Sequence, residues 1–341
     1  MTELPPGQQP EQPYSWENVA QDMQNWHPDL QVHVKRHLEA NGITSFEAHE
    51  KPSPVIIADE AIVQTSDLPT RIGREDIKPH TIALGETELI LQRHGEYVGD
   101  TSDERVGSLT EEAADAEREA AKIYFNAFFE QIPGDERNDV SILFVASDTA
   151  FHGAGKRSYE TALIAQEVAT QVFEARGLDA SNILNNSHDL MGNGAPRPMS
   201  NLREPQIFSK TPEFVEFLRA KYGDQGQDFW MAFEEDTEKE TRQKLGAEGP
   251  DEITDRIAFS VRALSRYASA YHNMNPGKRL IIWADTHYDT ISPFVKRDVF
   301  KVGKEATLLV DYGGGVTIDI DVNGNASTEL GGQVYSVPTS K

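Results

Sequence analysis

Three stretches of this chain are apolar almost without a break, and stretches with helical spacing separate them. They are Glu88-Leu89-Ile90-Leu91, Val140-Ser141-Ile142-Leu143-Phe144-Val145 and Arg279-Leu280-Ile281-Ile282-Trp283. Each is too short for a helix and lacks the alternation of a strand with one wet face. Such strands are covered on both faces, as in a parallel sheet between helical layers. Helices are expected over about 110–131, 158–176 and 251–271; Thr110 is a natural N-cap with Glu111 and Glu112 behind it. The pattern predicts a three-layer α/β/α fold with a mostly parallel sheet. Two last strands, about 306–312 and 315–321, are joined at Gly313-Gly314-Gly315.

The expected α/β domain spans residues 86–322, with a helical cap insertion at about 205–250. Residues 1–85 read as an N-terminal extension: 1–13 as a disordered tail, then a helical pattern from Trp16 to about Ala40. Residues 323–341 read as a C-terminal tail.

Charge narrows the partners. The chain has 56 acidic and 32 basic residues, a net charge of −24. Such a surface repels nucleic-acid backbones and anionic membranes, so neither is expected as a partner. It also obliges any phosphate site to gather its positive charge locally. There are no cysteines, which excludes disulfides, thiolate metal sites and a Cys nucleophile. Met1 to Pro13 has neither a basic nor an apolar signal region, and no run reaches the roughly 18 apolar residues of a spanning helix. A soluble, cytoplasmic protein is the expectation. Oligomeric state is not legible.

In parallel sheets ligands bind beyond the carboxyl ends of the strands. His94, Ser147 with Arg157, and His287 all fall there. Arg93-His94-Gly95 follows the first strand, and a glycine there allows close backbone approach to a ligand. Ser147 is followed by Arg157-Ser158-Tyr159-Glu160-Thr161-Ala162. Leu202-Arg203-Glu204 precedes the cap, and Ile281-Ile282-Trp283-Ala284-Asp285-Thr286-His287 ends the third strand. In these four segments, in this order, the chain resembles the histidine phosphatase superfamily, the phosphoglycerate-mutase-like group.

The resemblance implies a phosphatase that hydrolyses a phosphomonoester through a phosphohistidine on His94. His287 would flank that nucleophile and donate to phosphate oxygens. Arg93 and Arg157 would bind the same oxygens through planar guanidinium contacts. Glu204 would be the general acid and then the base, with Glu96 the second candidate. The substrate would be a small phosphoester or a phosphoprotein. Phosphoryl transfer needs positioning and cationic stabilisation, and two arginines with a second histidine can supply both. No metal and no cofactor are implied.

The chain departs from the family pattern in several places. Nine residues separate Ser147 from Arg157, so Asp148 to Lys156, with His152, form an insertion at the pocket rim. Tyr288 stands where the family has glycine, and Pro205 follows Glu204. Tyr97 after Glu96 is unlike the glycolytic mutases, and the Arg-x-Pro of the phytase branch is lacking. A phosphatase is therefore favoured over a mutase-like phosphotransferase. A non-catalytic phosphate-binding module on the same fold is the reading from another class.

Plainer readings stand beside these. His287 could be a strand-end core histidine, Arg157 a first-turn helix residue and Glu204 an exposed loop carboxylate. Asp148, His152 and Lys156 read as loop surface. Phe229-Trp230 and Phe233 read as packing, and Glu234-Glu235-Asp236 with Glu238 as a solvated helix face. Asp285, His287 and Asp289, with Ser187-His188-Asp189, offer ligand types of a metallophosphoesterase, but in the wrong order along the chain.

Overall fold

The structure is a computed structural model that describes residues 68–100, 102–149, 156–186, 194–224 and 226–339. These residues fall within one compact unit, Val63–Lys341. The readings of residues 1–13 as disordered and 16–40 as helical lie outside the described residues. So do His152, most of the insertion around it, and Ser187-His188-Asp189.

Along the chain, β1 (Arg71–Ile72) is followed by β2 (Thr87–Arg93), α1 (Glu111–Glu130), β3 (Val140–Ala146) and α2 (Arg157–Arg176). Next come β4 (Arg197–Pro198), the one-turn helix Ile207–Lys210, α3 (Pro212–Tyr222), α4 (Gln227–Glu234), α5 (Lys239–Leu245) and α6 (Pro250–Met274). Then follow β5 (Arg279–Thr286), α7 (Tyr288–Phe294), β6 (Leu309–Val310), β7 (Gly315–Ile320), β8 (Ala326–Leu330) and β9 (Gln333–Val337). The main sheet has the order β4-β3-β5-β2-β7-β8-β9. β4, β3, β5 and β2 are mutually parallel, and β7, β8 and β9 extend the sheet antiparallel from β2.

Successive strand residues face opposite sides, and both sides are dry. Leu89, Leu91, Leu143, Val145, Leu280 and Ile282 pack with Ile253, Ile257, Val261 and Leu264 of α6. Ile90, Ile142, Phe144, Ile281 and Trp283 pack with Phe125, Phe128 and Phe129 of α1 and Phe173 of α2. This is the three-layer arrangement expected from the unbroken apolar runs. Thr110 caps α1 as its sequence suggests, its hydroxyl accepting from the Ala113 amide at 3.1 Å.

The sheet also depends on two glycines at the strand ends that hold the site. Gly313 takes a φ of 71° between β6 and β7. At Gly315 a Cβ would lie 2.8 Å from the Gln92 Cα and closer still to the Leu91 carbonyl. Gly315→Ala should therefore push β7 off β2. The expected cost is about 3 kcal/mol, read as a lower urea midpoint at an unchanged slope. A midpoint equal to that of the parent would show that the strands can separate freely.

Four expectations change. Residues 323–341 are not simply a tail, because 326–337 supply β8 and β9. The predicted strand at 306–312 contributes only β6, which pairs with β1 in a separate two-stranded sheet. Residues 68–85 belong to the same unit as the sheet: the Arg74 guanidinium meets Glu117 and donates to the Ala116 carbonyl at 2.7 Å. Arg279 likewise donates to the Ile82 carbonyl at 2.8 Å. Finally, the acidic run that begins at the last residue of α4 is not all solvated. Glu234 is buried against Lys296 at 2.7 Å, and Asp236 is buried in a bidentate pair with Arg242 at 2.6 and 3.0 Å. Phe229 and Phe233 are core residues, as read.

Candidate active site

β2, β3 and β5 end side by side, so the residues just past their ends converge. His94 follows β2, Ser147 follows β3 and His287 follows β5. Backbone bonds lock this junction: the His94 amide donates to Thr286 at 3.0 Å and the Ser147 amide to Asp285 at 2.9 Å. Arg157 enters as the first residue of α2. The His94 and His287 rings lie edge to face with centroids 5.1 Å apart.

His94 is 3% exposed. Its Nδ1 lies 2.7 Å from the Gly95 carbonyl oxygen, which can only accept, so Nδ1 carries the proton. Nε2 then keeps its lone pair and accepts from Arg157 Nε at 2.9 Å. Burial holds the His94 pKa well below that of free imidazole, and Arg157 and Arg93 push it the same way. A neutral imidazole with one tautomer and an aimed Nε2 results.

His287 is equally buried, and its Nε2 meets Ser147 Oγ at 3.0 Å and Ser158 Oγ at 3.3 Å. Its Nδ1 is buried without a hydrogen-bond partner among the described residues. Burial again lowers the pKa strongly, with Arg157, His94 and Arg93 adding to it. Arg93 donates to the Val310 carbonyl at 2.5 Å and lies 3.8 Å above the Tyr312 ring. Its Nε is buried without a hydrogen-bond partner among the described residues. Burial lowers its pKa, yet a guanidinium stays charged.

Arg157 links the group. Besides His94, it donates to Glu204 Oε2 at 2.6 Å, and its guanidinium carbon lies 4.3 Å from the Tyr97 ring centroid. Glu204 is carried by a loop that Arg256 fastens, donating to the carbonyls of Asn201 and Arg203 at 2.7 Å each. Thr286 Oγ1 adds a bond to the Leu202 carbonyl at 2.7 Å. Glu96, the second candidate acid, is exposed.

All five residues singled out from the sequence, Arg93, His94, Arg157, Glu204 and His287, thus lie in one connected cluster. Tyr288 is half-buried, its ring centroid 5.4 Å from the Arg93 guanidinium carbon. Asp148 differs from the reading as loop surface: it pairs with Arg203, Oδ2 to a guanidinium nitrogen at 2.7 Å, beside Glu204. Lys156 is exposed, as read. Gly95 serves packing more than ligand approach, since a Cβ there would press on Leu109 and Ala113 at 3.2 and 3.3 Å.

Sequence reasoning gave no site role to Tyr97, Tyr312 or Arg256 and took Asp289 only as a metal-ligand type. Tyr97 and Tyr312 both lie against the His94 ring, with centroids 5.6 and 5.9 Å away. Asp289, two residues past His287, is 7% exposed. Its neighbouring charges are Glu204, Arg157 and Arg93. Position just past a strand-end histidine was the available signal for Asp289; nothing marked Arg256. Among the described residues no three His, Asp or Glu side chains gather as a metal site. No helix among them is long and apolar enough to cross a membrane.

No family model and no curated protein sequence matches the chain. Solved structures similar to it include YhfR of Bacillus stearothermophilus, 17% identical, at a TM-score of 0.40, covering 72% of this chain and 97% of that one. A mycobacterial glucosyl-3-phosphoglycerate phosphatase is 14% identical at a TM-score of 0.37, covering 72% and 98%. The ecdysone phosphate phosphatase of Bombix mori is 15% identical at 0.34, covering 68% and 88%. At so distant a likeness the chain's own residues, not its neighbours' names, decide the chemistry.

Proposed function

We propose that this chain is a phosphatase that hydrolyses a phosphomonoester through a phosphohistidine on His94, without a metal ion. One observation carries the reading: a buried neutral imidazole whose Nε2 lone pair is aimed by Arg157, with Arg93 and His287 beside it.

As the ester arrives the Arg157 N–H turns from Nε2 to a phosphoryl oxygen, and the freed Nε2 lone pair attacks phosphorus while the ester P–O bond breaks and its electron pair leaves on oxygen. A carboxyl group protonates that oxygen, and two stand at the site, Glu204 and Asp289. Water then attacks the phosphohistidine, giving a proton to the carboxylate; the P–N bond breaks and its electron pair returns to Nε2. Charge spread over the equatorial oxygens is met by the two guanidinium groups. In the neutral tautomer whose Nε2 accepts from the Ser147 hydroxyl at 3.0 Å, His287 carries its proton on Nδ1 and can donate it to a phosphoryl oxygen; that Nδ1 is buried without a partner among the described residues. The substrate is a small phosphoester or a phosphoprotein.

The test is turnover of para-nitrophenyl phosphate in EDTA, with the enzyme quenched during turnover. Expected are activity that survives the chelator and a phosphoenzyme stable to base and labile to acid, as a phosphoramidate is. Activity lost in EDTA and restored by a metal would refute the metal-free mechanism. Turnover without a trappable phosphoenzyme, even in rapid quench, would leave direct attack by water.

A pH profile adds a signed prediction. Protonation of Nε2 removes the nucleophile, and the folded-state pKa of His94 lies well below 6.5. The acid limb of kcat/KM should therefore fall well below pH 6.5, after allowance for the ester's own second ionisation at roughly 6. An acid limb centred on the free imidazole value would contradict the burial of His94.

A further inference from the structure

We infer that Tyr312 is a positioning residue for Arg93: its ring, held by strand pairing to residues 70–72, backs the guanidinium and fixes the plane in which that group meets a phosphoryl oxygen. This role rests on the phosphatase reading above and deepens it. It also gives residues that precede the main sheet a part in the site.

The two arginines of the site are held in different ways. Arg157 donates to the Glu204 carboxylate at 2.6 Å and to His94 Nε2 at 2.9 Å. Arg93 donates a terminal N–H to the Val310 carbonyl at 2.5 Å, and its guanidinium carbon lies 3.8 Å over the Tyr312 ring centroid. The Tyr288 ring is farther off, at 5.4 Å. A planar fork held by one carbonyl can swing about that bond. A ring in van der Waals contact stops the swing, because a guanidinium is attracted to it both as a cation and as a plane. At 3.8 Å the carbon itself touches the ring, so the contact is made by the guanidinium face and not through an N–H. Its donor edge stays available to phosphoryl oxygens, whereas a carboxylate would occupy that edge. Nε of Arg93 is such a donor, buried without a hydrogen-bond partner among the described residues.

Both contacts come from one short segment, with Val310 in β6 and Tyr312 two residues on. That segment is anchored from outside. β6 pairs with β1 in parallel: the Leu309 amide donates to the Thr70 carbonyl and the Asp311 amide to the Ile72 carbonyl, each at 2.9 Å. Arg71 Nε donates to the Asp311 carboxylate at 2.6 Å, and Ile72 is fully buried. The residues that follow grip the Arg93 backbone. The Arg93 amide donates to the Gly314 carbonyl at 2.7 Å, and the Gly313 amide donates to the Arg93 carbonyl at 3.1 Å. Residues 310–314 therefore hold the backbone and the side chain of Arg93 together. Tyr312 itself is 39% exposed, so its ring is not placed there to fill the core.

A double-mutant cycle tests the role. Wild type, Tyr312→Phe, Tyr312→Leu, Arg93→Ala and the Arg93→Ala/Tyr312→Leu pair are compared by kcat and KM on para-nitrophenyl phosphate and by the Kd of inorganic phosphate from calorimetry. Circular dichroism verifies folding; if Tyr312→Leu does not fold, Tyr312→Met takes its place. Tyr312→Leu should lower kcat/KM and weaken phosphate binding by about 5–20-fold each, the size of a desolvated cation–π contact. Tyr312→Phe keeps the ring and should stay within about 2-fold of wild type. On the Arg93→Ala background Tyr312→Leu should change either quantity by less than about 2-fold, since the group it acts through is gone. The same loss on both backgrounds would overturn the role and show that the ring acts on His94, 5.9 Å away between centroids, or on the ester itself. A Tyr312→Phe variant as impaired as Tyr312→Leu would overturn it in favour of the hydroxyl. A wild type that binds phosphate without turnover would sink the phosphatase reading alone, and the phosphate Kd values would still decide the role of Tyr312. A wild type that neither turns over nor binds phosphate would overturn both.

Discussion

His94→Ala is expected to lower kcat for phosphomonoester hydrolysis by at least about 10⁴-fold and to abolish the trapped phosphoenzyme. The size follows from what is lost. Without Nε2 there is no covalent intermediate, and the arginines and His287 are left to assist direct attack by water, which they are not arranged to activate. The fold should survive. His94 gives up two hydrogen bonds, to the Gly95 carbonyl and from Arg157, each worth about 1 kcal/mol net. Against this, the ring is desolvated between two guanidinium groups, a placement that serves chemistry rather than stability. Melting followed by circular dichroism, beside initial rates on para-nitrophenyl phosphate, separates the two effects. A folded variant with wild-type turnover would exclude His94 as the nucleophile.

The reasons that His94 could be singled out also explain what the sequence left obscure. Leu89 to Leu91 and Leu280 to Trp283 announce buried parallel strands, because only such strands dispense with alternation. The residues just past their ends are then placed by the fold itself. β8 and β9 carry no such signal: Ala326-Ser327-Thr328-Glu329-Leu330 alternates weakly and sits at the sheet's far edge. Arg74 and Glu117 meet across 43 residues of chain, and Glu234 and Lys296 across 62, so neither pair is visible to any local pattern. Glu234 looked solvated because its own neighbours are acidic; its partner comes from the segment after α7. Asp289 was read as a metal-ligand type because its class was legible and its burial was not.

Arg157 should show the second largest loss, and the form of that loss tests the site's geometry. It is buried, touches the nucleophile and Glu204 at once, and lies 4.3 Å from the Tyr97 ring centroid. Arg157→Ala removes a cation from the transferring group and the aim of Nε2, so kcat/KM should fall by about 10³–10⁴-fold. Arg157→Lys is the more telling variant. It keeps the charge, yet a single ammonium cannot reach His94, Glu204 and a phosphoryl oxygen in the fixed fork of a guanidinium. If planarity and span are what matter, lysine should recover less than about tenfold of the loss, and the deficit should lie in kcat more than in KM. Both parameters on para-nitrophenyl phosphate check this. Full recovery by lysine would mean that Arg157 acts as a point charge and that its bridge between His94 and Glu204 is incidental. Recovery confined to KM would mean that lysine restores binding of the ester while the imidazole remains misaligned for attack.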